Sequence, residues 1–172
     1  MQSLLNSNLL KIVWVNRIAL QKIRDMDNYT TTIELKVSAE KIYEALAHQI
    51  PLWWSELFAG ASAQIGDVFT VRFGDHIHKT IRIKESLPNL RMIWLVEDSL
   101  IAIPELKNQT EWIGTSVIWE MEQKENSILL QLTHVGLNPA VECYTICSGG
   151  WNQFIGSLKL FLETGIGTPY KK

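Results

Sequence analysis

The sequence predicts an α+β domain, a curved antiparallel sheet wrapped around one long C-terminal helix, with short helical structure after the first strand. Three observations predict it. Apolar and polar residues alternate in a series of short runs, the period of half-buried strands. These runs follow one another through short connections, the mark of antiparallel pairing. The last stretch changes to helical spacing, and its apolar stripe has only the sheet to cover it. A sheet curved around one helix leaves a hollow between them, an internal hydrophobic cavity.

Tyr29 to Val37 alternates, with Ile33, Leu35 and Val37 facing one way and Thr32, Glu34 and Lys36 the other. Ser38 suits an N-cap, and Ala39 to Ala47 carries Ile42, Ala45 and Leu46 at helical spacing. Pro51 stops that helix, because it lacks an amide donor and clashes with the preceding turn. Leu52-Trp53-Trp54 follows as an aromatic wedge. From Val68, Phe69, Val71 and Phe73 line one face of a strand, and Gly74-Asp75 turns the chain. Ile77 to Glu85 is the next strand, with Ile81 and Ile83 on one side, ended by Pro88-Asn89. Leu90 to Glu97 is strand-like and apolar on both faces. Asp98 to Gln109 reads as a loop that is unusually greasy, with Leu100, Ile101, Ile103 and Leu106. Thr110 to Gln123 and Ser127 to Val135 form the last hairpin, Val117, Trp119 and Met121 sharing one face, as do Leu130, Leu132 and His134. Cys147 to Thr164 is the long helix, with Trp151, Phe154, Ile155, Leu158, Phe161 and Leu162 at its spacing and Gly165 as C-cap.

Across 172 residues, 47% hydrophobic and 20% charged, the composition is that of a globular chain and not of a disordered one. Sixteen basic against 18 acidic residues, net −2, exclude the basic excess of a nucleic-acid binder. Two cysteines exclude a disulfide scaffold. Residues 1–25 stand apart as an N-terminal extension from a single domain at 26–172. The extension holds Lys11, Arg17, Lys22, Arg24 and Asp25; removing these from 16 and 18 leaves 12 basic and 17 acidic residues, net −5. Its apolar run is too short for stable membrane insertion and is broken by Lys11, so it lacks a signal-peptide pattern. The favoured reading is that Met26 is the native start, the other being a short basic amphipathic helix. A cytoplasmic protein, monomer or homodimer, is expected.

Several separated blocks carry a family resemblance. Thr133-His134-Val135-Gly136-Leu137 fits a closing strand, and Glu142-Cys143-Tyr144 with Cys147-Ser148 and Gly150-Trp151 fits the start of the last helix. Gly156-Ser157-Leu158 and Thr164-Gly165-x-Gly167-x-Pro169 fit its end. Pro51-x-Trp53-Trp54, Ile65-Gly66 and Thr110-Glu111-Trp112-x-Gly114-Thr115 fit upstream. Together, over about Asn28 to Tyr170, they resemble the START-like superfamily, also called SRPBCC or birch-pollen-allergen-like. The nearest branch is the heat-shock-protein-ninety ATPase activator homologue family, bacterial single-domain type. The resemblance implies a helix-grip fold whose cavity holds lipids, aromatic polyketides or other hydrophobic molecules, with a minority of members acting as cyclases, dehydratases or hydrolases.

The candidate cavity residues are Trp53, Trp54, Phe69, Val71, Phe73, Trp94, Trp112, Trp119, His134, Trp151, Phe154 and Leu158. The tryptophans can stack on an aromatic or alicyclic ligand, or simply pack as core. His134 faces inward by parity; it is a candidate ligand anchor or general base, against the plainer reading of a satisfied core histidine. No cofactor or metal is expected. Asp75-His76-x-His78 puts two imidazoles on one strand face but lacks a third ligand, so a solvated turn is the better reading. Cys143 and Cys147 lack redox or zinc spacing and read as small apolar fillers. Glu97, Asp98, Glu105 and Glu111 flank the greasy segment and could place one acid at the cavity mouth. The expected function is binding of a hydrophobic small molecule. The alternatives are a cyclase- or hydrolase-like enzyme using His134 with a mouth carboxylate, and a co-chaperone-like regulator of a heat-shock chaperone ATPase. Enlarging Gly156 or Leu158 is expected to shrink the cavity.

Overall fold

The computed structural model describes residues 27–172. The extension at residues 1–25, and the helix considered for it, lie outside the described residues. Strand β1 (Tyr29–Leu35) leads into helix α1 (Ala39–Ala47) and a 3-10 turn (Ile50–Leu52). Six strands follow: β2 (Phe58–Gly60), β3 (Val68–Phe73), β4 (Ile77–Leu87), β5 (Arg91–Ile101), β6 (Ser116–Gln123) and β7 (Ile128–Val135). Helix α2 (Tyr144–Thr164) closes the fold. The seven strands form one antiparallel sheet in the order β1-β7-β6-β5-β4-β3-β2.

The capping of α1 is as its sequence predicts: the Ser38 hydroxyl accepts the Lys41 N–H at 3.2 Å. Helix α2 packs across the sheet with Cys147, Trp151, Phe154, Ile155, Ser157, Leu158, Phe161 and Leu162 buried. Lys41 Nζ donates to the Leu162 carbonyl at 2.7 Å, tying α1 to the negative end of α2. Gly165 takes φ +83°, the left-handed cap. Beyond it the tail doubles back. The Thr168 N–H donates to Ser157 Oγ at 2.7 Å, and Tyr170 bridges to Ser55 beside the Trp53-Trp54 wedge. Gly167 fits there because a Cβ would lie 2.3 Å from the Leu52 carbonyl oxygen.

Several boundaries differ from the sequence reading, and one short strand was not anticipated. β5 does not end at Glu97 but runs to Ile101, because a register shift opposite Thr80/Ile81 absorbs one residue. Beyond that bulge Ser99 and Ile101 face inward, so part of the supposed loop is core. β6 begins at Ser116, not Thr110; the Thr115 N–H closes a turn on the Trp112 carbonyl and Gly114 sits at φ +82°. α2 begins at Tyr144, three residues before Cys147, because a distant carboxylate caps it: Glu111 accepts the N–H groups of Glu142 and Cys143 at 2.9 and 2.7 Å. The three-residue edge strand β2 was too short to show a period. Among the described residues no helix is long and apolar enough to cross a membrane.

Candidate functional site

The interior has a filled half and a hollow half. In the filled half, Trp53 stacks on Trp54 at 5.8 Å between ring centroids, and Trp119 stands edge-on to Trp53, Trp94 and Trp151. Trp54 stacks on Trp94 at 5.7 Å and on Trp151 at 5.3 Å. Trp53, Trp94 and Trp119 are fully buried, and Phe69, Val71 and Leu158 are buried with them. These aromatic rings pack against one another and close this half of the interior.

The hollow half is a cavity of about 260 Å³ between β3, β4, β5 and the first turns of α2. Its aromatic walls are Trp54, Phe73, Trp112, Trp151, Phe154 and Tyr170, completed by Ile77, Ile101 and Ile146. Lys79, Cys147, Gly150 and Gln153 supply the remaining lining. Ile146 is 43% exposed and marks the mouth. Of the residues singled out in the sequence, Trp54, Phe73, Trp112, Trp151 and Phe154 line this cavity. Trp53, Phe69, Val71, Trp94, Trp119, His134 and Leu158 lie in the packed interior beside it. Gly156 is exposed and is not part of this cavity's lining, so enlarging it does not shrink it, contrary to expectation.

His134 sits in a closed network. Its Nδ1 accepts the Trp151 indole N–H at 3.0 Å, so the proton of the neutral ring is on Nε2. Nε2 then donates to Thr115 Oγ1 at 2.8 Å, and that hydroxyl donates to the Trp112 carbonyl at 2.6 Å. The ring is fully buried and stands edge-on to Trp112 at 4.4 Å. Burial, with the positive charge of Lys79, pushes its pKa down to about 3. Both nitrogens are occupied, and the ring stays neutral at physiological pH.

Lys79 was missed, and it is the charged residue of the cavity. It is 3% exposed. Its Nζ donates to Ser99 Oγ at 2.8 Å and lies 4.5 Å from the centre of the Trp112 ring. Burial pushes the ammonium down to about 8, against the opposing influence of Cys147, Cys143 and Asp98. The signal was present: Lys79 has the parity of Ile81 and Ile83, which marks it as inward-facing. Cys147 lines the cavity opposite, its sulfur accepting the Trp112 indole N–H at 3.1 Å. A hydrogen bond with Cys143 holds the Cys147 thiol below its usual value against burial, helped by Trp112 and Lys79, while Cys143 is pushed up.

The carboxylates considered for the mouth have other partners. Glu97 pairs with Arg82 at 2.5 Å and Asp98 with His78 at 2.8 Å. Glu111 caps α2. Glu142, unremarked in the sequence beyond its motif, accepts the N–H groups of Lys107 and Asn108 at 2.9 and 3.0 Å and pins the segment after β5. Glu105 is exposed. Of the two imidazoles expected on one strand face, His76 lies in the turn before β4 and only His78 is on the strand, where it pairs with Asp98.

Comparison with solved structures places this geometry among relatives. The solution structure of the Aha1 dimer from Colwellia psychrerythraea superposes with a TM-score of 0.67 at 28% identity, over 81% of this chain and 98% of that one. Protein MLL2253 from Mesorhizobium loti gives 0.62 at 18% identity, over 78% and 97%. DynU16, from the dynemicin biosynthetic locus, gives 0.59 at 18% identity, over 82% of this chain and 49% of that one. At 18% the last two show the fold alone. A comparison with curated proteins finds no match. The profile of the family described as "Activator of Hsp90 ATPase homolog 1-like protein" matches residues 36–163, from the end of β1 to the last turn of α2. The chain therefore belongs to that family, with its START-like helix-grip fold.

Proposed function

We propose that this chain is a cytoplasmic binding module that holds a hydrophobic small molecule between the sheet and α2. One observation carries the reading: a cavity of about 260 Å³ remains although six tryptophans already crowd the interior, and its walls are almost entirely aromatic and aliphatic. An apolar cavity of about 150 Å³ suffices for benzene, so this one suits a single substituted ring or a short aliphatic chain. Binding is favoured over catalysis because the inward histidine is saturated with protein partners and stands outside the lining.

The test has two arms. Native mass spectrometry of gently purified protein is expected to show an extra mass that denaturation removes. Titration with the neutral probe 3-phenylpropan-1-ol, followed by tryptophan fluorescence, is expected to saturate. Gly150→Phe, at a lining position where a Cβ meets nothing within 4 Å, is expected to weaken that binding with the melting temperature retained. A clean mass together with no response to the probe overturns the reading.

A further inference from the structure

We propose that Lys79 makes the cavity a site for a small aromatic carboxylate, its ammonium pairing with the acid group while the ring stacks on the aromatic walls. This deepens the reading above and rests on it. Lys79 projects from near the start of β4, between Ile77 and the inward Ile81, to a place where it is 3% exposed. A buried ammonium is costly unless it is paired. Among the described residues no carboxylate lies within 4 Å of it. An ammonium carries three N–H donors. Ser99 takes one at 2.8 Å and the face of Trp112 lies 4.5 Å away. Donor capacity remains on an atom whose residue lines the hollow. The other titratable groups facing it are Cys147 from α2, Cys143 just before it, Asp98 from β5 and His134 from β7. Cys147 Sγ is already held by the Trp112 N–H, and Asp98 by His78. A ligand carboxylate would be the first full counter-charge to reach this ammonium, in surroundings that strengthen the pair. The aromatic walls select a flat ring as the apolar part.

The test compares 3-phenylpropanoate with 3-phenylpropan-1-ol, near-equal in shape and different in charge, on the full chain at pH 7. The carboxylate is expected to bind about 10- to 100-fold more tightly, the margin of one charge-assisted hydrogen bond. Lys79→Met is expected to abolish that margin and leave the alcohol's affinity within a few-fold. Should that variant fail to fold, raising the pH of the wild-type protein from 7 to 9.5, where Lys79 loses its proton, is expected to erase the same margin. The titration is repeated in Cys147→Ala to remove the thiol that ionises nearby. An alcohol that binds as well as the carboxylate overturns the anion site and leaves the cavity reading standing. A carboxylate preference that survives both Lys79→Met and high pH also overturns it, by placing the anion elsewhere. If neither probe binds, the cavity reading falls, and this proposal with it.

Discussion

His134 and Lys79 are both buried and both basic, and both stand against the same tryptophan, Trp112. The protein treats them in opposite ways. His134 has a protein partner on each ring nitrogen, and its acceptor Thr115 passes the bond on to a backbone carbonyl. Lys79 has one hydroxyl, one aromatic face and a hollow beside it. Burial alone therefore does not mark a functional group. What separates the two is whether the fold has used up the group's bonding capacity.

Acid separates the two groups by the largest expected effect. The His134 pKa falls from 6.5 in the unfolded chain to about 3 in the folded one. Between those values the unfolded state binds the extra proton, so stability rises with pH across the window and is lost as pH drops through it. Between pH 6.5 and 4 the loss attributable to this ring is about 3 kcal/mol. Urea unfolding of the wild type and of His134→Gln at pH 7 and pH 4 isolates it. The wild-type lead over the variant is expected to shrink by that amount on acidification. A lead that stays constant would mean the ring is not held neutral.

Lys79 tests the other side. Its pKa falls from 10.5 to about 8, so its ammonium is penalised in the folded state below pH 8. From 8 to 10.5 the unfolded chain keeps a proton that the folded chain has lost, and stability rises with pH until the penalty is gone. At pH 7 Lys79→Met is expected to be more stable than wild type by about 3 kcal/mol, the size of that shift. The gain is expected to fade by pH 10.5 in paired urea melts. A variant that is less stable at pH 7 would mean that Lys79 is part of the scaffold, as His134 is, and the contrast would collapse.

Most of the architecture was legible in the residues. Period-two runs located the long strands except β5, which was recognised as a run apolar on both faces, and the stripe from Cys147 to Leu162 located α2. What was hidden depends on contacts between distant segments. The bulge in the β4–β5 pairing reverses which residues face inward, so Ser99 and Ile101 were read as loop. The entry to α2 is held by Glu111, which accepts the N–H of the N-cap residue Cys143 from 32 positions away, and no local motif announces that. The tryptophans were visible as a set, but whether a ring fills the interior or walls the cavity is a matter of depth, which periodicity does not encode. His134 was placed inward by parity. Its silence follows from Thr115 and Trp151, supplied by other elements. Lys79 had the same parity signal and was overlooked because a lysine on a strand is ordinarily taken as solvated.

The smallest effect gives the cleanest control, because it deletes the same kind of group from each side. Thr115→Val removes the acceptor of His134 Nε2 and the donor to the Trp112 carbonyl. Thr115 Oγ1 is the partner that this buried N–H has among the described residues, so the cost is expected to be about 2 kcal/mol. Ser99→Ala removes the one hydroxyl that Lys79 touches. Lys79 borders a hollow that can admit water or a ligand, so its ammonium can be re-satisfied there, and the cost is expected to stay below about 1 kcal/mol. Chemical denaturation of the two variants at pH 7 checks the ratio. Equal costs would mean that the cavity offers Lys79 no alternative partner, and that the hollow is closed to polar guests.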